Sequence, residues 1–210
     1  MTNVLTLSVN DFLGATAART PTPGGGSVAA LCGALSAALG AMAMEFTAGK
    51  RAYAAHEAET QAALAAFKSA GDNLRELVME DIAAYEALAP LLKLPPDQRA
   101  ANPDYLAAVV AAISVPEMIL GFALAVLERC TTMAEKTNKF LIGDLGVAAA
   151  YAHATVEAAE LMVRTNLPLL PNPDEAAAVR KNMGELAAKA DAVYGAFRGA
   201  LRRRMDGVGA

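Results

Sequence analysis

Residues 20–44 read TPTPGGGSVAALCGALSAALGAMAM, and what this stretch forms decides the fold. Pro21 and Pro23 fix φ, so the segment is not a loose linker, while Gly24, Gly25 and Gly26 let another group approach the backbone closely. Ser27 then reads as a helix cap, because its hydroxyl can accept from the first free amides. Behind it, residues 28–44 carry no charge and are dominated by alanine, the strongest helix former. Gly33, Ala37 and Ala41 recur four apart, a stripe of small residues against which a second backbone can lie. The stretch predicts a shaped loop, then a long and closely packed helix ended near Ala48 by Gly49. The free N–H groups at its start favour an anion.

Working outward, residues 11–18 predict a short helix capped by Asn10 or Ser8. A helix from Arg51 to about Ala89, with a break near Gly71, is stopped by Pro90 and LPPDQ. Residues 103–136 follow as a helix perturbed at Pro116, then a loop, TNKFLIGDLG, and a helix over 147–166. LPLLPNPD connects to a last helix, capped by Asp174 and reaching about Met205. No segment alternates apolar and polar residues over a useful length. The expectation is one all-α domain over residues 1–210, an up-and-down bundle of long antiparallel helices. So much apolar surface in so short a chain also predicts a homodimer.

A net charge of −4 offers no basic face for nucleic acid, and Arg202, Arg203 and Arg204 read as partners of a helix end and solvent. Residues 28–44 and 106–127 approach the length of membrane helices. They are rich in Ala and Gly, and the second holds Pro116 and Glu117, so burial inside a soluble assembly explains them better. Cys32 and Cys130 are isolated and read as free thiols of a reducing compartment. The N-terminus lacks the basic-then-apolar order of a signal peptide, so a cytoplasmic location is expected.

Neither His56 nor His153 has a His or Cys three or four residues on, so no metal site is expected. The informative residue is Asp81. It lies on an apolar stripe of Leu74, Leu77, Val78, Ala84, Tyr85 and Leu88, where a carboxylate must pair, cap a helix, or carry a raised pKa suited to proton transfer. Asp144, in GDLG, is either a helix cap or a functional acid. Lys136, Asn138 and Lys139 bring polar and cationic groups to the same loop, and Lys50 and Arg51 form a second small cationic pair.

Taken in order, TPTPGGGS, EFTAGKRAY, EDIAAYEAL, SVPEMIL and AEKTNKFLIGDLGVAAAYA resemble the cyclodeaminase/cyclohydrolase family of folate enzymes along nearly the whole chain. The resemblance implies an all-helical fold, dimeric or higher. It implies action on a one-carbon tetrahydrofolate: closure of 5-formiminotetrahydrofolate to 5,10-methenyltetrahydrofolate with loss of ammonia, or opening of the methenyl ring by water. No cofactor beyond the folate is expected. Asp81 matches the family's Asp-x-x-Ala-aromatic motif and Asp144 its Asp-x-Gly-Val-Ala motif, which implies Asp81 as general acid/base and Asp144 as pterin binder or second proton carrier. Pro23, Gly24, Gly25, Gly26, Ser27, Lys50, Lys136 and Asn138 are expected to contact the folate. The chain departs from the family where Thr137, Lys139, Phe140 and Gly143 stand in the loop before Asp144, and where Glu45 replaces an expected Asn. Those departures leave a second expectation standing, a non-catalytic helical module that binds a folate-like ligand or a protein partner.

Overall fold

The computed structural model describes residues 3–206, and among them no strand occurs. Seven α-helices follow one another: α1 Val9–Ala17, α2 Gly25–Glu45, α3 Glu57–Leu92, α4 Pro96–Ala101, α5 Pro103–Met133, α6 Ile142–Asn166 and α7 Pro173–Asp206. Short 3-10 turns join α2 to α3, α5 to α6 and α6 to α7. Connections this short make consecutive helices antiparallel neighbours. Helices α2, α3, α5 and α6 form the bundle, with α2 packed on α3 and α6, and α5 closing the opposite side. The expected all-α bundle is what forms.

Several boundaries differ from expectation for local reasons. Helix α2 starts earlier, at Gly25, so Ser27 lies inside its first turn; there its Oγ accepts from the Gly24 N–H at 2.9 Å. Asn172, not Asp174, caps α7, taking the Asp174 N–H at 3.0 Å. Gly71 does not interrupt α3, and Pro90 sits within its last turn rather than ending it. The PPDQ segment forms α4, which the proline pair had concealed. Helix α6 begins at Ile142, so Asp144 belongs to its first turn and is neither loop nor cap. Gly49, with φ of 69°, does follow α2 as predicted, in the left-handed region open to glycine.

Small residues set the distance between α2 and its neighbours. A Cβ on Gly40 would meet the Phe67 ring at 2.6 Å, and Phe67 is fully buried. On the α6 side, Ser36 Oγ donates to the Ala148 carbonyl at 2.6 Å, which satisfies a buried hydroxyl. Helix α7 lies over α5 and α6. It is tied there by Lys189 to Glu128 at 2.6 Å, and by His153, stacked on Tyr194, to Asp191 at 2.7 Å. Arg204 donates to the Ala134 and Thr137 carbonyls just past α5 and Arg203 pairs with Glu135, which is what the arginine cluster does here. Cys130 is buried, which pushes its thiol pKa up, and Cys32 is half-buried; both are free. Helices α2 and α5 are long and apolar enough to cross a membrane, yet 56% of the apolar window of each lies inside the fold.

Two glycine substitutions separate packing from propensity. Gly40→Ala gains about 1 kcal/mol of helix propensity but costs about 1–3 kcal/mol by overpacking against Phe67, so its melting temperature should fall. Gly195→Ala, in α7 with nothing within 4 Å of the new Cβ, should rise by about 1 kcal/mol of propensity alone. Thermal unfolding of the two variants reads the contrast.

Candidate active site

The first turn of α2 lies against α3, and there Gly26 meets Asp81. A Cβ at Gly26 would coincide with the Asp81 carboxylate, so only glycine can stand there. Gly25 is pressed in turn by Met162 of α6, whose Sδ would lie 2.9 Å from a Cβ at that position. The glycines are needed for close approach, as the sequence suggested, and the Thr22–Pro23 peptide bond is cis.

Two effects oppose each other at the Asp81 carboxyl. The amide and hydroxyl of Ser27, at the positive end of α2, favour the anion. Burial favours the neutral acid and is the larger, so the pKa is raised above 3.8. The carboxyl therefore closes the helix start with its pKa above the ordinary aspartate value.

Beside it opens a cavity of about 250 Å3, lined on the α3 side by Asp81, Ala84, Tyr85 and Leu88, and on the far side by Ala112, Met162, Thr165 and Asn166. Pro21, Thr22 and residues 24–26 form the third wall. The surface is mostly apolar, and among the described residues no lysine, arginine or histidine lines it. Sites that enclose a drug-sized ligand run to roughly 300–1,000 Å3, so this one suits a fused ring with the rest of the molecule outside.

The other expected residues are elsewhere. Pro23 lines a neighbouring cavity with Ile82 and Glu86, and Ser27 is fully buried behind the loop. Lys50, Lys136, Asn138 and Asp144 lie at the far end of α2, whose 21 residues span about 30 Å. There the Asn138 N–H donates to Thr47 Oγ1 at 3.0 Å, and its Nδ2 donates to the Phe46 carbonyl at 2.9 Å. Its Oδ1 accepts from the Phe140 N–H, so the buried side chain is occupied in shaping the turn. Lys136 pairs with Glu59, whereas Lys50 and the half-buried Asp144 have exposed or open surroundings. Phe140 is 78% exposed with Lys139 over its ring, and Glu45 pairs with Lys68 at 2.7 Å. One chain thus brings together Asp81, Gly24, Gly25 and Gly26, with Ser27 behind them against the carboxyl and Pro23 beside them, and holds Lys50, Lys136, Asn138 and Asp144 apart.

Sequence reasoning missed Met162, Thr165 and Asn166. Met162 reads as an ordinary apolar helix residue, and Asn166 as a helix end before Leu-Pro. Only the three-dimensional return of α6 to the glycine loop joins them to the site.

Residues 8–185 match the family model described as formiminotransferase-cyclodeaminase. Over 190 residues the chain is 31% identical to the methenyltetrahydrofolate cyclohydrolase of Methylorubrum extorquens, covering 89% of this chain and 91% of that protein. It is 30% identical over 169 residues to the formimidoyltransferase-cyclodeaminase of Rattus norvegicus, covering 79% of this chain and 31% of that protein. Among solved structures, the formiminotetrahydrofolate cyclodeaminase of Thermotoga maritima superposes with a TM-score of 0.82 at 28% identity, over 99% of this chain and 100% of that one.

The raised pKa fixes the sign of a stability test. An acid whose folded pKa lies above its unfolded value binds its proton more tightly when folded, so stability falls as pH rises from about 3.8 through the folded pKa. Asp81→Asn keeps the shape and removes the ionisation. Its melting temperature at pH 7 should equal or exceed that of the parent, and the parent's fall across that window should be reduced in the variant. Thermal unfolding between pH 3.5 and 8 checks both.

Proposed function

The chain belongs to the formiminotransferase-cyclodeaminase family, and from that premise we propose an enzyme acting on the one-carbon bridge of a tetrahydrofolate. The reaction supported best is closure of 5-formiminotetrahydrofolate to 5,10-methenyltetrahydrofolate with release of ammonia. One observation carries it: the Asp81 carboxyl, kept toward its protonated form by burial, on the wall of an apolar cavity. The substrate's N10 attacks the carbon of the protonated formimino group, C=NH2+, which becomes tetrahedral between N5 and N10 with the nitrogen now a neutral amine. Asp81 gives a proton to the departing nitrogen, the carbon–nitrogen bond breaks with its electron pair leaving in ammonia, and the carboxylate takes the proton released by N10. The methenyl product is a cation. It forms beside a carboxylate in a wall of low polarity, where that attraction is strongest.

Hydrolysis of methenyltetrahydrofolate is the second reading, favoured by the nearly full-length match to the Methylorubrum extorquens cyclohydrolase. There ionised Asp81 would take a proton from the attacking water. Neither direction calls for a cofactor beyond the folate, since one carboxyl can both give and take the proton. The reading sets the enzyme in the cytoplasm, with no nucleic-acid or membrane partner.

Its remaining partner is a second copy. Val28 and Leu35 on α2 and Phe46 just past its end, with Val147, Tyr151 and Leu161 on α6, are exposed large apolar residues on two adjacent helices. A two-fold axis across α2 would cover this face and set the partner's α2 antiparallel. The cations at the far end of the partner's helix would then approach the cavity, which lacks any of its own, and could hold the folate's carboxylates.

Purified protein given 5-formiminotetrahydrofolate should raise methenyl absorbance and release ammonia, and Asp81→Asn should slow this by about 10²–10⁴-fold. Loss of absorbance from methenyltetrahydrofolate without ammonia selects the hydrolase. Folate bound without turnover returns the non-catalytic module, and no binding at all rejects the folate reading. In sedimentation, the parent should run as a dimer and Leu35→Glu, at a site 51% exposed, as a monomer; a monomeric parent contradicts the shared interface.

A further inference from the structure

Pro116 sits inside α5 and has no N–H, so the carbonyl four residues earlier, that of Ala112, loses its helical partner. The structure fills that vacancy from another helix. Asn166, the last residue of α6, donates from Nδ2 to the Ala112 carbonyl at 2.7 Å. Ala112 and Asn166 both line the cavity opposite Asp81. One Nδ2 hydrogen is committed to α5, which fixes the plane of the half-buried side-chain amide, and among the described residues no hydrogen bond to Oδ1 is formed. Thr165, its neighbour on the same wall, turns its hydroxyl back to the Leu161 carbonyl at 2.8 Å.

From this geometry we propose that Asn166 is a specificity-determining residue of the folate site, its Oδ1 accepting an N–H from the 2-amino-pyrimidine edge of the substrate, and that Pro116 is the positioning residue that fixes its orientation. The claim deepens the folate reading and rests on it. In a cavity that is otherwise mostly apolar and also lined by Asp81, a fixed acceptor selects a ring with N–H donors on its edge. A ring lacking them leaves the acceptor unpaired, which a site built for hydrogen bonding penalises heavily. Asn166 does not itself move protons. Its loss should weaken binding and leave the chemical step in place.

The test compares Asn166→Leu with the parent on the tetrahydrofolate substrate and on the analogue carrying a 2-methyl in place of the 2-amino group. We expect Asn166→Leu to raise KM at least about tenfold with kcat within about threefold, and to lose the parent's preference for the amino compound. An unchanged KM, or a retained preference, overturns the proposal and leaves Asn166 as a tie between α5 and α6. Pro116→Ala restores an N–H to the Ala112 carbonyl while keeping Asn166. It should raise KM by a smaller factor although the helix gains a hydrogen bond; a KM equal to the parent's refutes the positioning role. If the parent turns over neither substrate, titration with tetrahydrofolate decides the matter: at least tenfold weaker binding by Asn166→Leu upholds the claim, and equal binding overturns it. A parent that binds no folate overturns both this inference and the function it rests on.

Discussion

The carboxylate of Asp81 occupies the space that any side chain at position 26 would need, and the rest of the site is arranged around that contact. It fixes the start of α2 against the middle of α3, so the glycine loop cannot move without uncovering a buried acid. Burial raises the pKa of that acid, while the free amides at the helix start moderate the rise. A carboxyl buried without any compensation would destabilise the fold, and one fully compensated would lose its proton. The balance between burial and helix terminus makes the same group structural and titratable.

Much of the fold is legible in the sequence because its signals are local. Alanine runs, caps and glycine stops placed all the long helices, and the unpaired apolar pattern indicated a bundle. The misplacements have equally local causes. Ser27 looked like a cap, but Gly24 can take the cap conformation and leaves Ser27 within the first turn. Asp144 looked like the edge of a loop because GDLG carries two glycines, yet Gly143 and Gly146 are accommodated within α6. Pro116 looked like a disturbance, and packing converts it into an attachment point for Asn166.

The site was legible in part. Asp81 could be found because a charge on an apolar stripe violates a pattern, and the glycines because they violate helix propensity. Asn166 and Met162 violate nothing and enter only through tertiary packing. The motif around Asp144 and Asn138 carried a family likeness without a distance, and α2 keeps it about 30 Å from Asp81 within one chain. Membership of the family fixes the kind of fold and substrate; the proposed role of Asp81 turns on its protonation state.

That protonation state is directly measurable. A pH titration of carboxyl-labelled aspartate by carbon NMR, with Asp81→Asn identifying the resonance, gives the Asp81 midpoint in the intact protein. The account predicts a midpoint above 3.8, because burial outweighs the helix start. A midpoint at or below 3.8 would make Asp81 a fully compensated helix cap and contradict the proposed role as a proton donor.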